Sequence, residues 1–337
     1  MNLFASSRRA LGVCAVVAVL AGCGGGMQSP VGPLQARSLL PAFTSGVKSA
    51  HRDRGRSWMA PAAKNADLLY ISDAESDDLY VYSYPRAKLV GTLTGLAGPE
   101  GECVDKSGNV FVANTAAMNI LEYAHGGTTP IATLSDSGYY PVGCAVDPTT
   151  GKLAVTNICG ELYGQCVADG NLLVFANAKG TPKTYFDPGI AEYYFCGYDD
   201  KGDLFVDGLY NSSFAFAELP YRSSSFTNIT LDTFVYQPGG VQWDGKYVAI
   251  GDQDLYNNII YDFQIDGSQG KLARPGGTPL DGAILVIQFW IEGKTVIGPN
   301  HGGTGSVMFW KYPGGGSPTK VLHAFSTPVG STVSLAK

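Results

Sequence analysis

Histidine is scarce in this 337-residue chain: four residues, His51, His125, His301 and His323, are all it has. That leaves little material for imidazole-based general acid–base chemistry or for a histidine-rich metal centre. No G-x-S-x-G elbow and no H-E-x-x-H pair occurs, which excludes the serine-hydrolase and zincin signatures. The glycine-rich stretch from Gly298 to Gly305 does not lead into a helical pattern, so it is not a phosphate cradle. Charge is sparse as well, at 15% of residues, and the balance is acidic, with a formal net charge of −6. An acidic chain without a basic stripe is a poor partner for nucleic acid. After residue 20 no apolar run is long enough to span a bilayer.

What is present begins at the N-terminus. Arg8 and Arg9 precede an apolar run from Ala10 to Leu20, then Leu20-Ala21-Gly22-Cys23. The run is short for a membrane span and has the flanks of a secretory signal peptide. The tetrapeptide resembles the lipobox of bacterial lipoproteins, which implies cleavage after residue 22 and acylation of Cys23. Gly24 follows where an Asp would resemble an inner-membrane retention signal, so the expected location is the cell envelope, at the outer membrane or cell surface. Residues 23–65 are rich in Gly, Pro, Ser and Ala without strand periodicity, and read as a flexible tether. The tether is basic, with Arg37, Lys48, Arg52, Arg54, Arg56 and Lys64 against Asp53 alone, while the remainder is strongly acidic. A basic leash suits an anionic bilayer, though it also suits a generic solvated linker.

Residues 66–337 repeat one phrase. It reads PEGECVDKSGNVFVAN from Pro99, PVGCAVDPTTGKLAVTN from Pro141, FCGYDDKGDLFVDG from Phe195 and, more loosely, PGGVQWDGKYVAIGD from Pro238. Each copy is a small residue, a short apolar run, an Asp-containing turn with Gly, and a second apolar run ending in Asp or Asn. Copies recur about every 40 to 55 residues, the period of a propeller with four-stranded blades. The length suits six blades in one all-β domain. Blade one has only three strands of its own, and Pro328–Ser334 repeats the opening of PVGCAVD, so the C-terminal strand is expected to close blade one and the ring. The phrases from Pro99 and Pro141 resemble the NHL-type and gluconolactonase-like six-bladed propellers, a likeness that weakens in blades five and six.

The second strands end at Asp73, Asn114, Asn157 and Asp252, with Asp207 and Asn300 adjacent to the pattern in the other two blades. In a closed ring these positions come round one rim near the central channel. With Glu100 they form a candidate oxygen set for Ca²⁺ or another divalent cation, Glu100, Asn114, Asn157 and Asp252 as ligands. Asp73, Asp207, Asn300 and His301 are further candidates at the channel mouth. The resemblance to gluconolactonase-like enzymes implies a divalent ion held by a comparable Glu/Asn/Asp mix, and so a metal-dependent hydrolase of lactones or esters. The competing reading is that such Asx side chains simply bond backbone and fix turns.

An exported domain meets an oxidising compartment, so disulfides are expected. Cys159 and Cys166 bracket a short loop and form a natural staple. Cys144 and Cys196 occupy the same position in adjacent blades and are expected to pair, leaving Cys103, one step along, as a buried free thiol. The cysteine spacings match no common zinc site. Aromatics including Tyr139, Tyr140, Tyr193, Tyr194, Tyr210, Tyr221, Tyr236, Trp243 and Tyr256 fall in or near loops, either as a platform for carbohydrate or peptide or as packing between blades. The reading that unites these features is a lipid-anchored, extracytoplasmic propeller that binds an envelope protein, peptide or carbohydrate. The hydrolase is the alternative.

Overall fold

The repeated Asp of each copy makes the first turn of its blade. Asp105 Oδ1 accepts from the Ser107 and Asn109 N–H groups at 2.7 and 2.8 Å. Asp147 does the same for Thr149 at 2.7 Å, Asp199 for Lys201 and Asp203, and Asp244 for Lys246 and Tyr247. These are Asx turns, and a left-handed glycine such as Gly108, Gly151, Gly202 or Gly245 completes each hairpin. The Asp–Gly grammar of the repeat is therefore a folding device.

The computed structural model describes residues 55–255, 258–303 and 305–337. The expected signal peptide, Cys23 and the expected tether up to residue 54 lie outside the described residues. The strands form six sheets, antiparallel except for one short parallel pair in blade five, each wound from an inner to an outer strand, which is the expected six-bladed propeller. Blade two runs 99–104, 110–114, 119–123 and 130–135, and blade three 139–146, 153–162, 165–176 and 179–185. Blade four has 192–198, 204–210 and 213–219, but its fourth strand is only Thr227–Asn228. Blade five comprises 238–243, 248–252, 259–266 and 269–272, and blade six 290–292, 295–300, 306–311 and 315–323.

Blade one closes as expected. Pro328–Ser334 pairs antiparallel with Leu68–Asp73, in register Leu68↔Ser334 and Asp73↔Pro328. The closure is latched from both ends of the domain: Ser334 Oγ donates to Gly108 O at 2.7 Å and meets His125 Nδ1 at 2.6 Å, while His125 Nε2 meets Ala66 O at 3.1 Å. Part of the stretch expected to be tether carries regular structure. Trp58–Met59 pairs with Thr92 and Gly91 as a fifth strand on blade one, and Pro61–Asn65 forms a 3-10 turn. The apolar side chain of Met59 supplies the reason, since it packs with the Leu68, Tyr70 and Leu79 core.

The core consists of layers between neighbouring blades. Cys103, Phe111, Cys144, Val155 and Phe175 pack between blades two and three. Ala145, Tyr193, Cys196, Leu204 and Val206 pack between three and four. These layers correct the disulfide pairing: Cys103 bonds to Cys144, with Cα atoms 5.7 Å apart, and Cys196 is a buried free thiol. The reason is strand alternation. Side chains one step apart leave a strand on opposite faces, and the two faces of a blade meet different neighbours. Cys144 and Cys196, at equivalent positions, both point back to the preceding blade and cannot meet. A bridge needs opposite phase, as Cys103 provides. The staple Cys159–Cys166 forms as expected, with Cα atoms 5.4 Å apart.

Candidate functional site

Two places in the ring bring distinctive side chains together: the rim around the channel, and a groove between blades four and five. At the rim, the Asx side chains at the ends of the second strands share one task. Asp73 accepts from Ser326 N at 2.7 Å and Thr327 N at 2.9 Å. Asn114 Oδ1 accepts from Ala97 N at 2.6 Å, Asp252 from Tyr236 N and Gln237 N at 2.9 and 3.0 Å, and Asn300 Oδ1 from Ile284 N and Leu285 N at 2.8 and 3.1 Å. Each thus ties the incoming inter-blade segment to the second strand beside it. Asn157 reaches the equivalent segment through its side chain, donating to Asp136 Oδ1 at 3.2 Å and to Asn171 Oδ1 at 2.8 Å.

Register also re-sorts the candidates. Asn300 is in the pattern, opposite Val286 as Asn157 is opposite Pro141. Asp207 is one residue off it, at the position held by Thr156. There it accepts from Phe195 N at 2.8 Å, and its other oxygen has no partner. Burial holds Asp207 well above the ordinary carboxylate range, against donors from Phe195 and Gly239. Glu100 is buried in the same region with one unpartnered oxygen, and burial alone raises its pKa well above normal. His301 is half-buried beside blade one, its backbone N–H donating to Leu285 O at 2.8 Å, and partial burial lowers its pKa. Among the described residues no three His, Cys, Asp or Glu side chains converge as a metal set. The acceptor oxygens of Asn114, Asp252, Asp73 and Asn300 are already committed to backbone N–H groups.

Near the axis the inner strands crowd together and one side chain crosses between blades. The third residue of the repeated opening, counted from Pro99, Pro141, Pro238 and Pro328, is glycine in four blades: Gly101, Gly143, Gly240 and Gly330. A Cβ at Gly101 would lie 2.4 Å from Val142 O, and at Gly143 2.7 Å from Tyr194 O, so these glycines let neighbouring inner strands approach. Blade four has Phe195 there and blade six has Gln288. Gln288 crosses to blade two, where Oε1 accepts from Glu102 N at 3.0 Å and Nε2 donates to Glu102 O at 2.9 Å. Beside this crossing a cavity of about 280 Å³ opens, walled by Tyr198, Trp243 and Trp290.

The second place was not foreseen. A groove of about 650 Å³ runs between blades four and five, bounded by Ser212–Phe216 on one side and 228–237 on the other. Phe214 and Phe216 stack with ring centroids 6.5 Å apart, and Phe216 stacks on Phe205 at 6.0 Å. The groove opens on the face that carries the second-to-third-strand loops and the inter-blade segments. This face carries six of the thirteen exposed large apolar side chains among the described residues, in blades three to six: Leu162, Tyr163, Phe186, Tyr210, Phe234 and Ile284, with Tyr163 90% and Phe234 76% exposed. Of the aromatics singled out by sequence, Tyr140, Tyr193 and Tyr194 are buried between blades, Tyr210 and Tyr221 are exposed, and Tyr256 lies outside the described residues. The signal for the groove was available in the polar, serine-rich stretch 222–228, where blade four lacks a full fourth strand.

A scan against protein-family models finds no match, and a search of curated proteins likewise finds none. Among solved structures, the chain is similar to one in a crystal structure of a nidogen/laminin complex. Identity is 13% and the TM-score 0.62, over 80% of this chain and 99% of that one. It is also similar to a protein of unknown function from Bacteroides caccae, at 12% identity and TM-score 0.58, over 80% and 98% of the two chains. At these identities the likeness establishes the propeller fold and nothing about ligands.

Proposed function

We propose that this chain is a lipid-anchored, extracytoplasmic propeller of the NHL type that works as a protein-binding module. Its binding face is the one that carries the apolar crescent of blades three to six. The observation that carries the reading is that crescent. Isolated exposed apolar residues are ordinary, but a group on one face, rimmed by polar loops and beside an open groove, marks an interaction surface. The lipobox-like Leu20–Cys23 and the basic tether support an anchor that leaves the propeller free to meet partners at the envelope. Two disulfides fit an oxidising compartment. The hydrolase alternative draws no support from Asp73, Asn114, Asp252 and Asn300, whose oxygens hold backbone, and chelation is expected to leave the melting temperature unchanged.

The test is site-specific photo-crosslinking in cells of the source organism. A crosslinking residue at Tyr163 or Phe186 is expected to capture discrete protein partners, and one at Ile131 or Tyr221, exposed elsewhere, is not. Equal capture from all four positions, or none from Tyr163 and Phe186, would remove the basis for this reading.

A further inference from the structure

The groove between blades four and five is bounded by two open sheet edges that face each other. Blade four is the first. Its third strand, Ser213–Leu219, pairs with Thr227–Asn228 at Ala217 and Glu218 only, and Phe216 O then accepts from Ile229 N at 2.8 Å. That bond sets the phase: the backbone groups of Phe214 and Phe216 point away from the second strand, and among the described residues Phe214 N–H and C=O have no backbone partner. Blade five is the second. The chain crosses over at Ile229, and Thr230–Leu231 pairs parallel with Gln269–Gly270. Thr230 N donates to Ser268 O at 2.9 Å and Asp232 N to Gly270 O at 3.0 Å, so the alternate residue Leu231 turns its N–H and C=O back towards blade four. In blades one, two, three and six one continuous outer strand of six residues or more, as at 130–135 and 179–185, occupies this place, while blade five has 269–272 with Thr230–Leu231 beyond it. Blade four's fourth strand has in effect been divided between two blades, and a slot is left where its end would lie.

We propose that this slot receives an extended polypeptide strand from a partner protein, which completes the blade-four sheet and hydrogen-bonds to Leu231 on its other edge. The proposal rests on the reading of this face as a binding face, and names the partner's local chemistry. Main-chain bonds to Phe214 and Leu231 supply affinity, and alternate side chains supply specificity. On one side those side chains meet Phe214, Phe216 and Val235, so alternate apolar residues are selected. Asp232 is the charged residue of the lining, and Lys and Arg are absent from it, which favours a basic residue in the strand. The volume lies within the range of about 300–1,000 Å³ usual for ligand sites.

The experiment is selection of a phage-displayed random decapeptide library on the full-length protein in detergent. Enriched clones are expected to alternate apolar residues with at least one Lys or Arg. As synthetic peptides they are expected to protect the Phe214 and Leu231 amides from hydrogen exchange, and to lose about tenfold or more in affinity when alternate residues are N-methylated on a bonding edge. Leu231→Pro removes a slot-facing donor while leaving the Thr230 and Asp232 bonds to blade five, and should weaken binding similarly. N-methylation alters only the peptide, so it decides the matter even if that variant misfolds. Failure to enrich any peptide, or peptides indifferent to N-methylation, would overturn the slot. If Tyr163 and Phe186 still crosslink partners in that case, the binding face stands and only the strand-insertion mode falls.

Discussion

Introducing a cysteine at Ala145 tests how the blades face one another. Ala145 stands in blade three where Cys103 stands in blade two, and it packs in one layer with the free thiol Cys196. By the same phase that joins Cys103 to Cys144, Ala145→Cys should form a disulfide with Cys196 without moving either strand. The new loop would enclose about 50 residues, for which the chain-entropy account gives about 4 kcal/mol as an upper figure, engineered bridges commonly delivering less. For a domain of this size that corresponds to a rise on the order of 10 °C in melting temperature. The assay is alkylation of the protein unfolded without reductant, followed by mass mapping of the Cys196 peptide, with thermal melts alongside. Wild type should be alkylated at Cys196, and A145C should not. Cys103→Ser supplies the converse, since the freed Cys144 should stay unpaired with Cys196. A Cys144–Cys196 bond in C103S, or a free Cys196 in A145C, would refute the alternation argument.

Three further perturbations follow from the same coordinates. Deleting Pro328–Lys337 removes the inner strand of blade one, the Ser334 latch and the Ala336 N bond to Asp67 at 2.8 Å, and should abolish cooperative unfolding in circular dichroism melts. Gln288→Ala strands the buried Glu102 N–H and C=O at about 1–3 kcal/mol each, so a melting-temperature drop is expected, and an unchanged melt would show that water replaces the side chain. Asp136 is buried with its pKa raised to about 7, chiefly by burial and against the Asn157 bond. Because the folded value exceeds the unfolded one near 3.9, its protonated form favours folding below about pH 4, and that contribution is lost as pH rises to 7. Asp136→Asn should therefore stabilise the protein increasingly between pH 4 and 7, by up to about 4 kcal/mol, and a pH-independent difference would contradict the assignment.

The ring was legible because its determinants are local and repeated. Asp105, Asp147, Asp199 and Asp244 each close a tight hairpin with their own neighbours, so their spacing alone marks the blades. The closing strand was legible because Pro328–Ser334 carries the same opening as Pro141–Asp147. The disulfide pairing was not, because matching positions across blades suggests neighbours while strand alternation forbids equivalent residues from meeting. The rim was half legible: the Asx residues do line up, but sequence does not show which N–H groups lie opposite an oxygen, and those donors belong to segments about 15 residues or more away in most blades. Gln288 was hidden for a related reason, since only register places it at the glycine position of the other inner strands.

Departures from the repeat mark where this ring is more than a scaffold. A residue that obeys the phrase is explained by the blade it builds, as Asn114 and Asp252 are by the segments they tie down. Gln288 and Phe195 break the phrase at the axis, where both line the axial cavity and Gln288 ties blade six to blade two. Blade four breaks the phrase at the periphery, where a serine-rich stretch replaces an outer strand and Phe214 is left on an unpaired edge. Open edges are a hazard that propellers usually remove by circular closure and full outer strands. Here the edge lies inside a groove whose Phe234 wall shields it from flat edge-to-edge association with another sheet, while an isolated extended strand still fits. An edge both retained and sheltered is what selective strand capture requires, and it is the reason the proposed slot lies between the fourth and fifth blades and not at the axis.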